Sequence, residues 1–244
     1  MSGDVDVVYV VRDVPENEGF ELRYSLRSLE AFGRGIRSVW IVGGCPVWCK
    51  PDYVVRIPDL LPNPHACTAA KVLTACFQPE LSETFVVFCD DIYLTQPVDL
   101  TKLPLFYWGN LDRAILRHAG QYKQALAATQ LLLLKHRYPT LNFELHVPFV
   151  VSKGDFSQTL MKFPWWQASP PLLWRSLYAN ALRKHGTEMK DVKIYEKDVK
   201  GWTVERYIGK AQESPFFSSD KSLGITARLA LEKLYPGKSR WEAD

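Results

Sequence analysis

The sequence predicts an α/β protein with a mostly parallel central sheet flanked by helices and a less regular C-terminal half. Two observations carry this. Short β-branched runs alternate with helix-period segments through the first half of the chain. Charged residues also collect where the runs end, at Arg12-Asp13 and Asp90-Asp91, and ligands of such sheets bind beyond the carboxyl ends of the strands.

Taken in order, VDVVYVV (5–11) is a compact apolar strand, and ELRYSLRSLEAFG (21–33) spaces Leu22, Leu26 and Leu29 as a helix that stops at Gly33. SVWIVGG (38–44) reads as a second strand closed by two glycines, and DYVVRIP (52–58) as a short third. After the turn-forming LPNP, ACTAAKVLTACF (66–77) is a helix of small residues suited to close packing on a sheet, and FVVFCDD (85–91) is the next strand. In the second half, DRAILRHAGQYKQALAATQLLLLKHRYP (112–139) looks helical and FELHVPFVVS (143–152) extended. PWWQASPPLLWRSLYANALRKHG (164–186) is a Pro-rich loop running into a helix that Gly186 ends. KIYEKDVKGWTVERYIG (193–209) suggests a hairpin or edge strands, and ARLALEKLYPG (227–237) a last helix stopped by Pro236 and Gly237.

With 244 residues, 47% of them hydrophobic, the chain can bury a sizeable core, and one domain over 1–244 is expected. The N-terminus enters a strand directly with no secretory leader, and no apolar stretch reaches the roughly 18 residues of a membrane span, so a cytoplasmic protein is expected. The five cysteines lack paired CxxC spacing and read as reduced, mostly buried thiols; Cys45 and Cys49 alone complete no metal site. A net charge of +3 declares no polyanion partner. Between Phe106 and Pro139, however, Arg113, Arg117, Lys123, Lys135 and Arg137 face a single acid, Asp112. That stretch suits a phosphate-bearing ligand, or is a solvated helix face.

Adjacent aspartates at a strand end repel one another, and burial without a partner is costly. Asp90 and Asp91 therefore look like ligands for a hard divalent cation, Mn²⁺ or Mg²⁺, which takes one or two carboxylates plus substrate phosphate oxygens. On an extended strand they point to opposite sides, so one holds metal while the other orients a ribose or a lysine. Asp91 is the better metal ligand on this reading, and Asp90 positions the donor. The alternative is a turn cap beside a solvated carboxylate. Arg23 and Arg27, four apart on one helical face, could reach a phosphate, or could pair with Glu21 or Glu30. His146 is a possible general base, phosphate contact or metal ligand, or a satisfied structural histidine. Lys153 is a possible phosphate contact, and Lys71 a further donor-side cation. Trp165, Trp166 and Trp174 could stack on sugars or bases of an acceptor, or fill the core.

Four blocks in order resemble the Stealth family: VDVVYVVRD, ELRYSLRSLEAFGRGIRSVWIVGG, FVVFCDDIYLTQPV and HVPFVVSK. A fifth, SSDKSLGITARLALEKLYPGKSRWE, is similar to that family's closing block. The resemblance implies a GT-A-like, Rossmann-like domain, with a nucleotide-binding half (1–105) and an acceptor-side half (106–244). It implies a nucleotide-sugar donor, a divalent metal at Asp90 and Asp91, donor contacts near Arg12, Asp13 and Arg23, and a working role for His146. The chain departs from the family pattern at Cys89, where an Asn is usual, and in its first loop, VVRDVPEN.

The leading expectation is a metal-dependent glycosyltransferase passing a sugar from a nucleotide-sugar donor, a UDP-sugar on this reading, to an acceptor hydroxyl. Its alternatives are sugar-1-phosphate transfer of the capsular-polysaccharide kind, glucosylation of a hydroxymethylated DNA base in a phage-infected cell, and a non-catalytic nucleotide-sugar or glycan-binding module. The acceptor is accordingly a glycan or hydroxymethylated DNA.

Overall fold

The computed structural model describes residues 3–13, 16–163, 165–220 and 222–243. In chain order the elements are β1 (Val5–Val11), α1 (Phe20–Phe32), β2 (Gly33–Arg34), β3 (Ile36–Gly43), β4 (Tyr53–Val55), α2 (Pro64–Cys76) and β5 (Thr84–Cys89). There follow β6 (Ile92–Leu94), β7 (Val98–Asp99), β8 (Phe106–Tyr107), α3 (Leu111–Arg117), α4 (Gly120–Lys135), β9 (Phe149–Ser152) and α5 (Lys153–Lys162). The chain closes with α6 (Trp174–Ala181), β10 (Thr187–Glu188), α7 (Val204–Ala211), β11 (Phe216–Ser218) and α8 (Ile225–Leu234).

The main sheet has the order β4-β3-β1-β5-β9. Its first four strands are parallel, and β9 joins β5 antiparallel, with Thr84 opposite Ser152 and Val87 opposite Phe149. All seven residues of β1 are buried, as a central strand covered on both faces requires. Their alternation sorts them: Val8 and Val10 join the core beneath α2, whereas Val7, Tyr9 and Val11 join the core beneath α1. Leu22, Leu26 and Leu29 supply the α1 side of that second core. The small residues Ala66, Ala69 and Ala75 let α2 lie close on the first, and the Asn63 side chain caps α2 by accepting from Ala66 N–H at 3.1 Å.

At the amino edge of the sheet, buried Asp6 accepts Arg37 Nε at 2.8 Å and Ser82 N–H at 2.8 Å, tying β1 to the start of β3 and to the approach to β5. A third core, formed by α7 and α8, packs Tyr207, Ala227 and Leu231 against Tyr93 of β6 and Phe217 of β11.

Three local expectations change. The helical stretch 112–139 is two helices, broken where His118 is extended and Gly120 adopts φ +62°. The helix expected to run to Gly186 ends at Ala181, and Arg183 follows in the left-handed region. The segment expected as hairpin strands instead holds α7. The Thr203 hydroxyl caps it by accepting from Arg206 N–H, and Val204, Tyr207, Ile208 and Ala211 repeat at helical spacing. All five cysteines are free thiols. Among the described residues no helix is long and apolar enough to cross a membrane.

Candidate functional site

The carboxyl ends of β1 and β5 open into a cleft of two chambers. The first, about 670 Å³, is lined by Arg12, Glu21, Lys71, Asp90, Asp91 and Asp220, among others. The second, about 440 Å³, is lined by His118, Tyr122, Glu144, Trp174, Arg175, Asp191 and Tyr195. His65, Thr68, Cys89, His146 and Lys193 line both, so the chambers meet over the end of β5.

Backbone packing fixes the wall of the first chamber. Gly43 ends β3 at φ +120°, where a Cβ would sit 1.9 Å from the Val11 carbonyl oxygen. A Cβ on Gly44 would meet the Arg12 carbonyl oxygen at 2.3 Å. Only glycines permit this approach, and Gly44 N–H then donates to the Arg12 carbonyl at 3.0 Å. The glycine pair thus presses the loop after β1 into place and sets Arg12 at the chamber. Buried Lys71 reaches up from α2, donating to the Val11 carbonyl at 2.7 Å and pairing with Asp59 at 2.5 Å. Asp59 in turn accepts Asp13 N–H at 2.9 Å. Lys71 is therefore a strut of the wall as well as a lining cation.

The two aspartates have different surroundings. Asp91 Oδ2 accepts from Lys193 Nζ at 3.1 Å and from the Ser218 hydroxyl at 2.9 Å, and Ser219 N–H donates to its carbonyl. Burial works to raise its carboxyl, but Lys193, His146 and Ser218 hold it below the usual range. Asp90 is pushed up to about 7 by burial and then by the charges of Asp91 and Glu21, with Arg12 opposing. The lysine expected beside one of the pair thus sits on Asp91, the residue expected to hold metal.

His146 is the site's other centre. Its ring Nδ1 lies 2.8 Å from Asp191 Oδ2, and its backbone N–H donates to Asp191 Oδ1 at 2.9 Å. Burial would raise the Asp191 carboxyl, but the His146 ring and the N–H groups of His146 and Val192 keep it below the ordinary range. A carboxylate on Nδ1 fixes the ring's orientation and tautomer, directing Nε2 away from Asp191. Nearby, buried Arg175 donates to the Leu145 carbonyl and approaches Cys89 Sγ at 3.6 Å. Burial pushes the Cys89 thiol up to about 11 against that cation.

Of the residues singled out from sequence, the structure brings together Arg12, Lys71, Asp90, Asp91 and His146 in the first chamber and Trp174 in the second. Asp13 is exposed on the adjoining loop. The others lie elsewhere. Arg27 makes a bidentate pair with Glu242 at 2.8 Å, and Arg23 stacks over Trp48 beside the same carboxylate. Lys153 Nζ caps the carbonyls of Gln78 and Leu81 at the opposite end of β5. Trp165 is in the core and Trp166 on the surface, and neither lines a chamber. Trp174 packs edge-on against Phe149 and Phe156.

Sequence reading missed Asp191, Lys193, Arg175 and Asp220. Their one local signal is charge inside otherwise apolar or irregular segments, which points to no partner. The Asp191 contact spans 45 positions and the Lys193 contact 102.

No protein-family model matches the chain. Among curated proteins it is similar to a capsular polysaccharide phosphotransferase of Neisseria meningitidis serogroup B, 26% identical over 165 residues, covering 59% of this chain and 43% of that protein. The chain therefore spans less than half the length of that relative. Among solved structures, the apo form of the bifunctional glycosyltransferase WbbM superposes with TM-score 0.53 at 9% identity, over 98% of this chain and 50% of that one. The galactosyltransferase LgtC, in complex with donor and acceptor sugar analogues, superposes with TM-score 0.51 at 10% identity, over 96% of each chain. At these identities the likeness is one of fold. The chain has the α/β architecture of GT-A glycosyltransferases, with a mainly parallel sheet and flanking helices.

Proposed function

We propose that the chain is a nucleotide-sugar-dependent transferase of the Stealth kind. The observation that carries this is the meeting of two chambers at the end of β5, with Asp90 and Asp91 lining one and the Asp191-held His146 lining both. The first chamber takes the donor diphosphate beside Arg12. The second takes the acceptor, whose hydroxyl gives its proton to His146 Nε2 while Asp191 steadies the ring and the charge that forms on it.

A divalent cation fits this site. Burial, Asp91 and Glu21 disfavour a negative charge on Asp90, and a divalent cation beside the pair would restore it. Among the described residues, no group of three acidic, histidine or cysteine side chains is placed to cage an ion. Asp90 and Asp91 would therefore share the ion with phosphate oxygens and water, as Mg²⁺ and Mn²⁺ sites commonly do. When bound, the cation neutralises the diphosphate. Lys193 and Arg12 add fixed positive charge near it.

Two bonds are open to the acceptor oxygen. In sugar-1-phosphate transfer it attacks the β-phosphorus, the bond to the bridging oxygen breaks, and a nucleoside monophosphate leaves. In glycosyl transfer it attacks the anomeric carbon, and a nucleoside diphosphate leaves. The similarity to a capsular polysaccharide phosphotransferase favours the first. The same similarity, to an enzyme named for a polysaccharide, favours a glycan acceptor over hydroxymethylated DNA.

The test is product analysis with a panel of UDP- and other nucleotide-sugars, glycan acceptors and Mn²⁺. Monophosphate release and an acceptor heavier by sugar plus phosphate are expected, both lost in Asp91→Ala. Diphosphate release would establish glycosyl transfer instead. No metal-dependent turnover with any donor would leave a binding module.

A further inference from the structure

We propose that the C-terminal ends of α4 and α5 form a docking surface for an anionic membrane. Four large apolar side chains stand in solvent there: Leu131 at 70% exposure, Leu134 at 56%, Met161 at 64% and Trp166 at 46%. Leu131 and Leu134 lie three apart and so share one face of α4. The two helix ends are one surface. His136 packs edge-on against Phe163 with ring centroids 5.3 Å apart, and Lys162 Nζ bonds the Tyr138 hydroxyl at 2.9 Å. Arg183 donates to the Arg137 carbonyl at 3.0 Å, bringing the end of α6 to the same place.

The charge around these side chains is mostly positive, although Asp112 accepts from the Gln130 side chain of α4 and Asp155 pairs with Lys184. Lys135, Arg137, Lys162 and Arg183 are all exposed. No Asp or Glu occurs between Gly120 and Phe143, nor between Phe156 and Thr187. Single exposed apolar side chains are ordinary on a solvated face, whereas several grouped beside cations mark an interaction surface. A nucleic acid would match the cations but gives exposed leucines nothing to contact. A bilayer with anionic headgroups satisfies both. Leucine, methionine and tryptophan enter the headgroup boundary, and lysines and arginines pair with phosphates at its surface. The attachment proposed is a peripheral one, made by side chains at the headgroup boundary. This inference is independent of the transferase reading, since it concerns a surface outside both chambers.

Co-sedimentation of the full chain with lipid vesicles tests it. At about 0.1 M salt, vesicles with roughly 30 mol% phosphatidylglycerol should bind the chain at least about tenfold more tightly than pure phosphatidylcholine. Leu131→Ser with Leu134→Ser should cut binding about tenfold at unchanged Tm, because both side chains are already exposed. Lys135→Glu with Arg137→Glu should do the same and flatten the salt dependence. Absence of binding to the anionic vesicles overturns the proposal. So does binding that the leucine variant leaves intact while duplex DNA displaces the vesicles, which would make the surface a polyanion site only.

Discussion

Replacing Asp191 by Asn should disable the base proposed at His146 while leaving the fold intact. The side chain now accepts the N–H groups of His146 and Val192 on Oδ1, each at 2.9 Å, and meets His146 Nδ1 with Oδ2 at 2.8 Å. An asparagine keeps the shape and can keep the two backbone bonds through its carbonyl oxygen. Its NH₂ then faces Nδ1, so Nδ1 must accept and the ring proton moves to Nε2, the atom that should take the acceptor's proton. A hydrogen bond to a charged group contributes about 1.5–3 kcal/mol, which at about 1.4 kcal/mol per decade is roughly 10- to 150-fold in turnover. The assay is steady-state turnover of the donor identified by product analysis, with Tm measured in parallel. The expected result is lower kcat, donor KM within about twofold and little change in Tm. An Asp191→Asn enzyme with wild-type kcat would refute the general-base role.

Three other outcomes follow from the structure. Asp6→Asn leaves Arg37 unneutralised; with Arg37 46% exposed, the cost is discounted to about 2 kcal/mol, or roughly 4–8 °C in Tm. The Asp6 carboxyl lies below its ordinary range against the pull of burial, held there by Arg37 and Ser82. Its stabilisation is thus present above the unfolded-state pKa and lost as pH falls through the folded one. Thermal melts between neutral pH and pH about 3 should show the gap between wild type and Asp6→Asn closing in acid; a gap that widens contradicts this. Gly43→Ala drives a Cβ into the Val11 carbonyl and should yield insoluble or strongly destabilised protein in a solubility assay, with a soluble wild-type-like variant as the contrary result. Cys89, pushed up to about 11, should react with iodoacetamide at neutral pH far more slowly than a free thiol; mass mapping showing it as the fastest of the five would contradict this.

Much of the fold was legible because it is local. The strand and helix periods of residues 5–91 mark β1, α1, β3, β4, α2 and β5, and placing Asp90 and Asp91 at a strand's carboxyl end required only that order. The second half of the chain was less legible. The edge-strand reading of 193–209 overlooked the Thr203 cap and the Val204, Tyr207, Ile208, Ala211 spacing, because glycine and aromatic residues around Trp202 resemble strand punctuation. Arg23 and Arg27 were correctly placed on one helical face, yet spacing does not identify what that face meets. Their partner, Glu242, is 215 positions from Arg27. Asp191 lies in an irregular segment where no periodicity operates, and only the folded chain brings it to His146.

Donor binding tests the transferase claim most directly. A ligand at 100 times its Kd stabilises the folded state by about 2.7 kcal/mol, or roughly 5–10 °C for a chain of this size. Thermal melts with a panel of nucleotide-sugars should show such a rise for at least one donor, dependent on Mn²⁺ or Mg²⁺ and absent in Asp90→Ala and Asp91→Ala. A panel in which no nucleotide-sugar raises the wild-type Tm, or in which both aspartate variants respond as the wild type does, would contradict it.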